Sequence, residues 1–184
     1  MPHHHILIFG PAGAGSTTLG QQLSAATSVP CFDTDEFYWI REEDGTLYKR
    51  KRNPEHRRKL LTEALALHSD WILTGSLNGW GDVLIPEFTL VIFLFADTEI
   101  RLERIRKREI IRYGEQRIQQ GGDLHAVFNK FLQWASDYDG GGMEMKSKSS
   151  DEAWMEKISC PILRLNGNDP PEANLRRIID EMNK

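Results

Sequence analysis

Gly10-Pro11-Ala12-Gly13-Ala14-Gly15-Ser16-Thr17-Thr18 stands between an apolar run, Ile6-Leu7-Ile8-Phe9, and a stretch of helical character at 19–26. A glycine-rich turn between a strand and a helix curls the backbone so that several N–H groups face inward. The helix N-terminus adds partial positive charge. The stretch fits the pattern G-x-x-x-x-G-K-[ST] at Gly10, Gly15 and Thr17, with Ser16 in the lysine position. The candidate phosphate-binding set is therefore Gly10, Ala12, Gly13, Ala14, Gly15, Ser16, Thr17 and Thr18, and Thr17 is also a candidate Mg²⁺-binding hydroxyl. A plain tight connection can look similar. The spacing, the hydroxyls after Gly15 and the position behind the first strand favour a phosphate loop. Serine can donate a hydrogen bond to a phosphate but cannot neutralise it as lysine does. Either another cation takes over, or the chain binds nucleotide without fast catalysis.

Outward from this loop, strand and helix signals alternate. Strands are expected at 5–9, 30–33, 71–74, 90–95 and 161–165, and helices at 16–27, 54–68, 98–112, 123–137 and 171–182. The run Leu90-Val91-Ile92-Phe93-Leu94-Phe95 is apolar throughout, as in a central parallel strand covered on both faces. The alternation predicts an α/β fold: a doubly wound, five-stranded parallel sheet in a single domain, with ligands at the carboxyl ends of the strands. Three polar stretches interrupt it. The first, 41–53, carries a turn at Asp44-Gly45; 113–122 and 139–150 are rich in glycine and charge. The segment around 109–122, at the end of the arginine-rich helix, is expected to be a short lid, and 139–150 gives almost no signal.

Asp33-Thr34-Asp35 closes the second strand, and the i, i+2 spacing puts both carboxylates on one side of an extended chain. One acid can face Mg²⁺ while the other accepts a proton from a substrate hydroxyl. Alternatively, Asp33 or Thr34 simply caps a following helix. Arg101, Arg104 and Arg108 recur on one helical face, and guanidinium groups bind phosphate bidentately. Arg104 and Arg108 are the candidates to supply the cation that Ser16 lacks. Arg101, Arg106 and Lys107 are expected on a solvated face paired with neighbouring glutamates. Thr74-Gly75-Ser76 ends the third strand, either as a turn that lets substrate approach or as a plain connection. Asp97 is expected to cap the arginine helix, and Asn166-Gly167-Asn168 is a turn that could pass beside a bound base. Trp39, Trp80, Trp134 and Tyr138 could line a pocket, though aromatic residues mostly pack cores.

At 184 residues the chain suits one domain with a proper core. A net charge of −4 gives no basic field for nucleic acid, and no apolar run approaches the ~20 residues of a membrane span. Cys31 and Cys160 lack metal-site spacing and read as free, buried thiols of a cytoplasmic protein. His3-His4-His5 is given no function.

Taken together, GPAGAGSTT, FDTDEFYW, WILTGS, VIFLFADTEIRLERIRKR and LRLNG resemble a small P-loop kinase of the adenylate, shikimate and cytidylate kinase group over nearly the whole chain. The resemblance implies a nucleoside monophosphate kinase-like fold, ATP and Mg²⁺ as cofactors, and a small-molecule acceptor. Asp33 and Asp35 resemble the Asp-x-Asp pair of shikimate kinases, which implies metal contact for Asp33 and acceptor binding for Asp35. Only Gly75 matches the glycine triplet of those enzymes, and the glycine-proline-arginine run of adenylate kinases is absent. Two functions stand open: an ATP-dependent phosphotransferase acting on a small hydroxyl- or phosphate-bearing molecule, and a nucleotide-binding regulatory module with little turnover.

Overall fold

The computed structural model describes residues 3–43 and 50–184. Its strands are β1 (His5–Phe9), β2 (Cys31–Asp33), β3 (Trp39–Ile40), β4 (Arg50–Lys51), β5 (Trp71–Thr74), β6 (Leu90–Phe95) and β7 (Ile162–Asn166). Its helices are α1 (Ser16–Thr27), α2 (Thr34–Tyr38), α3 (Pro54–Leu65), α4 (Thr98–Tyr113), α5 (Glu115–Ile118), α6 (His125–Ser136), α7 (Lys148–Met155) and α8 (Pro171–Met182), with a 3₁₀ turn at Asp82–Glu87. The main sheet has five strands in the order β2-β5-β1-β6-β7, all parallel.

Alternation along the central strands builds two cores. Ile6 and Ile8 of β1 and Ile92 and Leu94 of β6 face α1 and α8, packing with Leu19, Leu23 and Ile178. Leu7 and Phe9, with Val91 and Phe93, face the other way onto Leu61 and Leu65 of α3 and Trp154 and Met155 of α7. The doubly wound arrangement follows from strands that are apolar on both faces. Among the described residues, no helix is long and apolar enough to cross a membrane.

The structure adds elements that periodicity did not reveal. The polar stretch after α2 contains a two-stranded antiparallel ribbon pairing Trp39 with Lys51 and Ile40 with Arg50. The turn expected at Asp44-Gly45 lies outside the described residues. Helix α3 stops at Leu65 rather than running to His68. The segment 139–150 leads into α7, where Ser147 and Ser150 form a reciprocal capping box. Helix α7 is anchored by Trp154, which is buried, meets Phe9 edge-on at 5.3 Å and donates its indole N–H to Asp82 at 2.9 Å. Trp154→Ala should cost about 3–5 kcal/mol, the range for truncating a buried Trp. Urea unfolding would measure it; a loss below about 1 kcal/mol would mean that α7 does not belong to the core.

Candidate functional site

The site lies at the carboxyl ends of β1, β2 and β5. Register places Asp33 opposite Thr74, and Thr74 opposite Ile8, in one row at the mouth of the sheet. Beyond that row the phosphate loop leaves β1. The Ala14 N–H turns back to Pro11 O at 3.1 Å, and Leu19 N–H opens the α1 ladder on Gly15 O at 3.0 Å. The first-turn N–H groups of Ser16, Thr17 and Thr18 thus stand at a helix N-terminus, where backbone donors have no intrahelical acceptor.

Asp33 joins this loop to the acid pair. One carboxylate oxygen accepts the Thr17 hydroxyl at 3.1 Å, and the other accepts the Asp35 N–H at 2.9 Å, capping α2. The capping reading therefore holds for one oxygen of Asp33, while the other stands against the loop hydroxyl. A hydroxyl and a carboxylate oxygen side by side fit Mg²⁺, a hard cation that takes few protein oxygens and keeps several waters. The described residues contain no cluster of three or more His, Cys, Asp or Glu side chains, so an all-protein metal cage is not built among them. Asp35 follows at the start of α2, on the same strand-end turn.

The turn after β5 closes against α2. Gly75 has φ +101°, its N–H donates to Ile8 O at 3.0 Å, and an added Cβ would lie 2.0 Å from the Thr34 hydroxyl oxygen. Thr74 is buried and donates its hydroxyl to Phe32 O at 3.3 Å, so this hydroxyl serves the sheet.

Sequence reasoning missed Arg57. It sits in the first turns of α3, only 8% exposed, with its guanidinium carbon 4.0 Å from the Tyr38 ring centroid and 5.0 Å from that of Trp80. Its Nε has no hydrogen-bond partner among the described residues. A basic residue in a polar helix start gives no sequence signal for burial; only the neighbouring Tyr38 and Trp80 could have hinted at a stacked cation.

The arginine stripe of α4 does not act as one surface. Arg101, expected on a solvated face, is fully buried. Arg104 donates to Ala14 O at 3.4 Å and Gly167 O at 3.0 Å. It lines a cavity of about 230 Å³ with Ala14, Gly15, Thr18, Gln22 and Gly167, which brings the Asn166-Gly167-Asn168 turn against the loop. Arg108 pairs with the buried carboxylate of Glu109 at 2.7 Å and lies over the Phe131 ring. Arg106 and Lys107 are exposed, as expected. Asp97 holds the N-cap position of α4 without a side-chain cap bond, and its carboxylate accepts from Asn168 at 2.9 Å. Trp80 and Tyr138 are core residues, and Trp134 stacks on Phe131 at the surface of α6.

A model of the AAA domain family matches residues 6–138, more than half of the chain. The chain belongs to that family. Within it, the protein falls in the small P-loop kinase group with a shikimate-kinase-like fold. It is 40% identical over 176 residues, 96% of each chain, to Uncharacterized protein YqaC of Bacillus subtilis (strain 168). It is 30% identical over 132 residues to the shikimate kinase of Francisella tularensis subsp. holarctica (strain FTNF002-00 / FTA), covering 61% of this chain and 71% of that one. The shikimate kinase structure from Bacteroides thetaiotaomicron superposes with a TM-score of 0.54 at 19% identity, covering 97% of this chain and 98% of that one, a likeness of fold. Fold and relatives together point to a phosphotransferase of the kinase class.

Both cysteines are free, but half-buried rather than buried. Burial, and then the nearby Asp33 carboxylate, push the Cys31 thiol from the usual 9.0 up to about 11. The folded chain therefore holds this proton where the unfolded chain releases it. Stability from Cys31 is present below pH 9.0 and falls as pH rises toward about 11. At pH 8, Cys31 should alkylate at least about 100-fold more slowly in the native protein than in urea, because its thiolate fraction drops by that factor. Site-resolved mass spectrometry would read this, and equal rates would contradict the burial.

Proposed function

We propose that this protein transfers the terminal phosphoryl group of ATP to a hydroxyl of a small molecule that also carries an anionic group. The observation that carries the reading is the Thr17–Asp33 contact, which brings the phosphate loop and the acid pair to one point. The loop residues Gly10, Ala12, Gly13, Ala14, Gly15, Ser16, Thr17 and Thr18 would hold the nucleotide phosphates through backbone N–H groups and hydroxyls. Thr17 and Asp33 would hold Mg²⁺, which when bound neutralises phosphate charge. Asp35 would orient the acceptor hydroxyl and take its proton. Arg57 would face the acceptor's anionic group, which would answer the unpartnered Nε of a buried guanidinium. Arg104 fits the nucleotide end, from its place beside Ala14 and Gly167. Arg108 is then left to the segment around 109–122, as part of a lid that excludes water. Catalysis in this arrangement is positioning plus electrostatic stabilisation.

A second reading has one observation in its favour. Ser16 leaves the loop without its usual cation, as suits a nucleotide-binding module with little turnover. Acceptor-dependent ADP release, screened across nucleoside monophosphates, sugar acids, cyclic polyols and aminoglycosides, separates the two. The buried guanidinium favours hydroxy acids or phosphates and disfavours aminoglycosides. Tight Mg-ATP binding with no release across the panel would establish the module instead.

With an acceptor in hand, Asp35→Asn should lower kcat by about 10²-fold or more while ATP affinity stays within about threefold. Arg57→Gln should raise the acceptor KM by about 10-fold or more with little change in the KM for ATP. Equal, mild effects of both changes on all parameters would make these residues structural.

A further inference from the structure

Arg101 is the most deeply buried charge near the loop. It is fully enclosed at 0% exposure, and its guanidinium spreads over five oxygen acceptors. Nε donates to Ala96 O at 3.1 Å, and Nη1 donates to Ala135 O at 3.1 Å and Ala12 O at 3.3 Å. Nη2 donates to the Thr98 hydroxyl at 2.8 Å and to Asp139 at 3.3 Å. Its guanidinium carbon also lies 5.3 Å from the Tyr138 ring centroid. Two of these acceptors, Ala96 O and Thr98 Oγ1, are local to the start of α4. Ala12 O belongs to the phosphate loop.

The loop also meets the backbone of the same residue. Gly13 has φ +83°, and a Cβ added there would lie 2.5 Å from Arg101 O and 3.0 Å from its Cα. Loop and helix are thus in direct main-chain contact, and the guanidinium fastens the adjoining peptide. All peptides of the described chain are trans. In a trans peptide the C=O and the following N–H point in opposite directions. Fixing Ala12 O on Arg101 therefore aims Gly13 N–H away from the guanidinium.

The charge matters as well as the orientation. The carboxylate paired with Arg101 is Asp139, whose side chain is 54% exposed and therefore partly screened by water. The guanidinium itself is cut off from solvent, where its field falls off less steeply than a surface charge. It lies one peptide away from the place where phosphates bind, in a loop that carries Ser16 instead of lysine.

We propose that Arg101 is a positioning residue for the nucleotide phosphates: it sets the Ala12–Gly13 peptide with its N–H away from the guanidinium and supplies, from behind the loop, the positive charge that position 16 lacks. The proposal rests on the nucleotide-binding part of the function proposed above. It assigns to Arg101 the compensation that the sequence alone suggested for Arg104 and Arg108.

Calorimetric binding of ATP, ADP and adenosine to the full chain tests it. Arg101→Met should weaken ATP and ADP by about 10- to 100-fold, the scale of one charge-assisted bond and its field, and leave adenosine within about twofold. Arg101→Lys keeps the charge without the fork and should fall between wild type and Arg101→Met. Adding Ser16→Lys to either variant should recover part of the lost phosphate affinity, because it restores charge in front of the loop. A merely structural residue would lower adenosine and ATP affinity alike, and an added lysine at position 16 would not help it. Circular dichroism melting confirms that each variant is folded. Should Arg101→Met fail to fold, Arg101→Lys with and without Ser16→Lys decides the matter. Folded Arg101→Lys protein that binds ATP as tightly as wild type, or loses adenosine equally, overturns the inference while leaving the proposed function standing. A wild-type chain that binds none of the three ligands overturns both.

Discussion

The loop after β1 is held by backbone rather than by side chains. A Cβ at Gly10 would lie 2.0 Å from Leu94 O, and one at Gly13 would lie 2.5 Å from Arg101 O. The end of β6 and the first turn of α4 therefore press directly on the two ends of the loop's first half. The strand order makes this possible. β1 and β6 are neighbours, but the chain leaves β1 toward β2 and leaves β6 toward β7. A crevice opens where neighbouring connections diverge, and the loop fills it. Packing on both faces of β1 fixes that strand, so the loop inherits a rigid base, as a phosphate cradle requires.

From that base the acid turn is placed by register alone. Asp33 is two strands from β1, yet Thr74 between them sets all three strand ends at one height. The Thr17 hydroxyl then meets Asp33 across the top of β5. Gly75 lets the chain turn away beneath Thr34 without blocking this span, because any side chain there would collide with the Thr34 hydroxyl. The same turn leads to Trp80, which donates its indole N–H to Ser76 O at 2.9 Å and flanks Arg57. Phosphate loop and acid pair are thus two consequences of one row of strand ends, and Trp80, beyond the β5 turn, covers the buried guanidinium of Arg57 on α3.

How far the sequence carries follows from the kind of signal each element uses. The five strands and their flanking helices are written in periodic apolar residues, and α1 begins at Ser16 and ends at Thr27 where the sequence places it. Helix α7 is invisible for a physical reason. It is short and follows three consecutive glycines, and its cap is a Ser147–Ser150 pair rather than a serine with a glutamate. Its hold on the fold comes from Trp154 reaching Phe9, a contact between residues far apart in the chain. The arginines of α4 show the limit of helical spacing. Positions 101, 104 and 108 do share a stripe, but each meets different surroundings: the loop and α6 at Arg101, the β7 turn at Arg104, and Glu109 at Arg108. Spacing says which residues are neighbours on a helix; what covers each of them is decided by tertiary packing.

Moving the loop's cation from position 16 to Arg101 changes what that cation can do. A lysine in the loop is a point charge on a flexible stem and can follow the phosphoryl group as charge shifts during transfer. A guanidinium held by five acceptors and closed off from solvent cannot move with the reaction. It acts on bound nucleotide equally before and during transfer, which is uniform binding: it improves affinity without selectively stabilising the transition state. The selective part must then come from groups that can approach the phosphates from the open side, which in the proposed function are Thr17 and Asp33, through the Mg²⁺ they would hold, and any cation brought by the proposed lid. The same substitution thus separates two tasks that one lysine ordinarily combines. In the proposed arrangement, loop shape and ground-state charge reside in the fold, while rate is left to groups outside the loop.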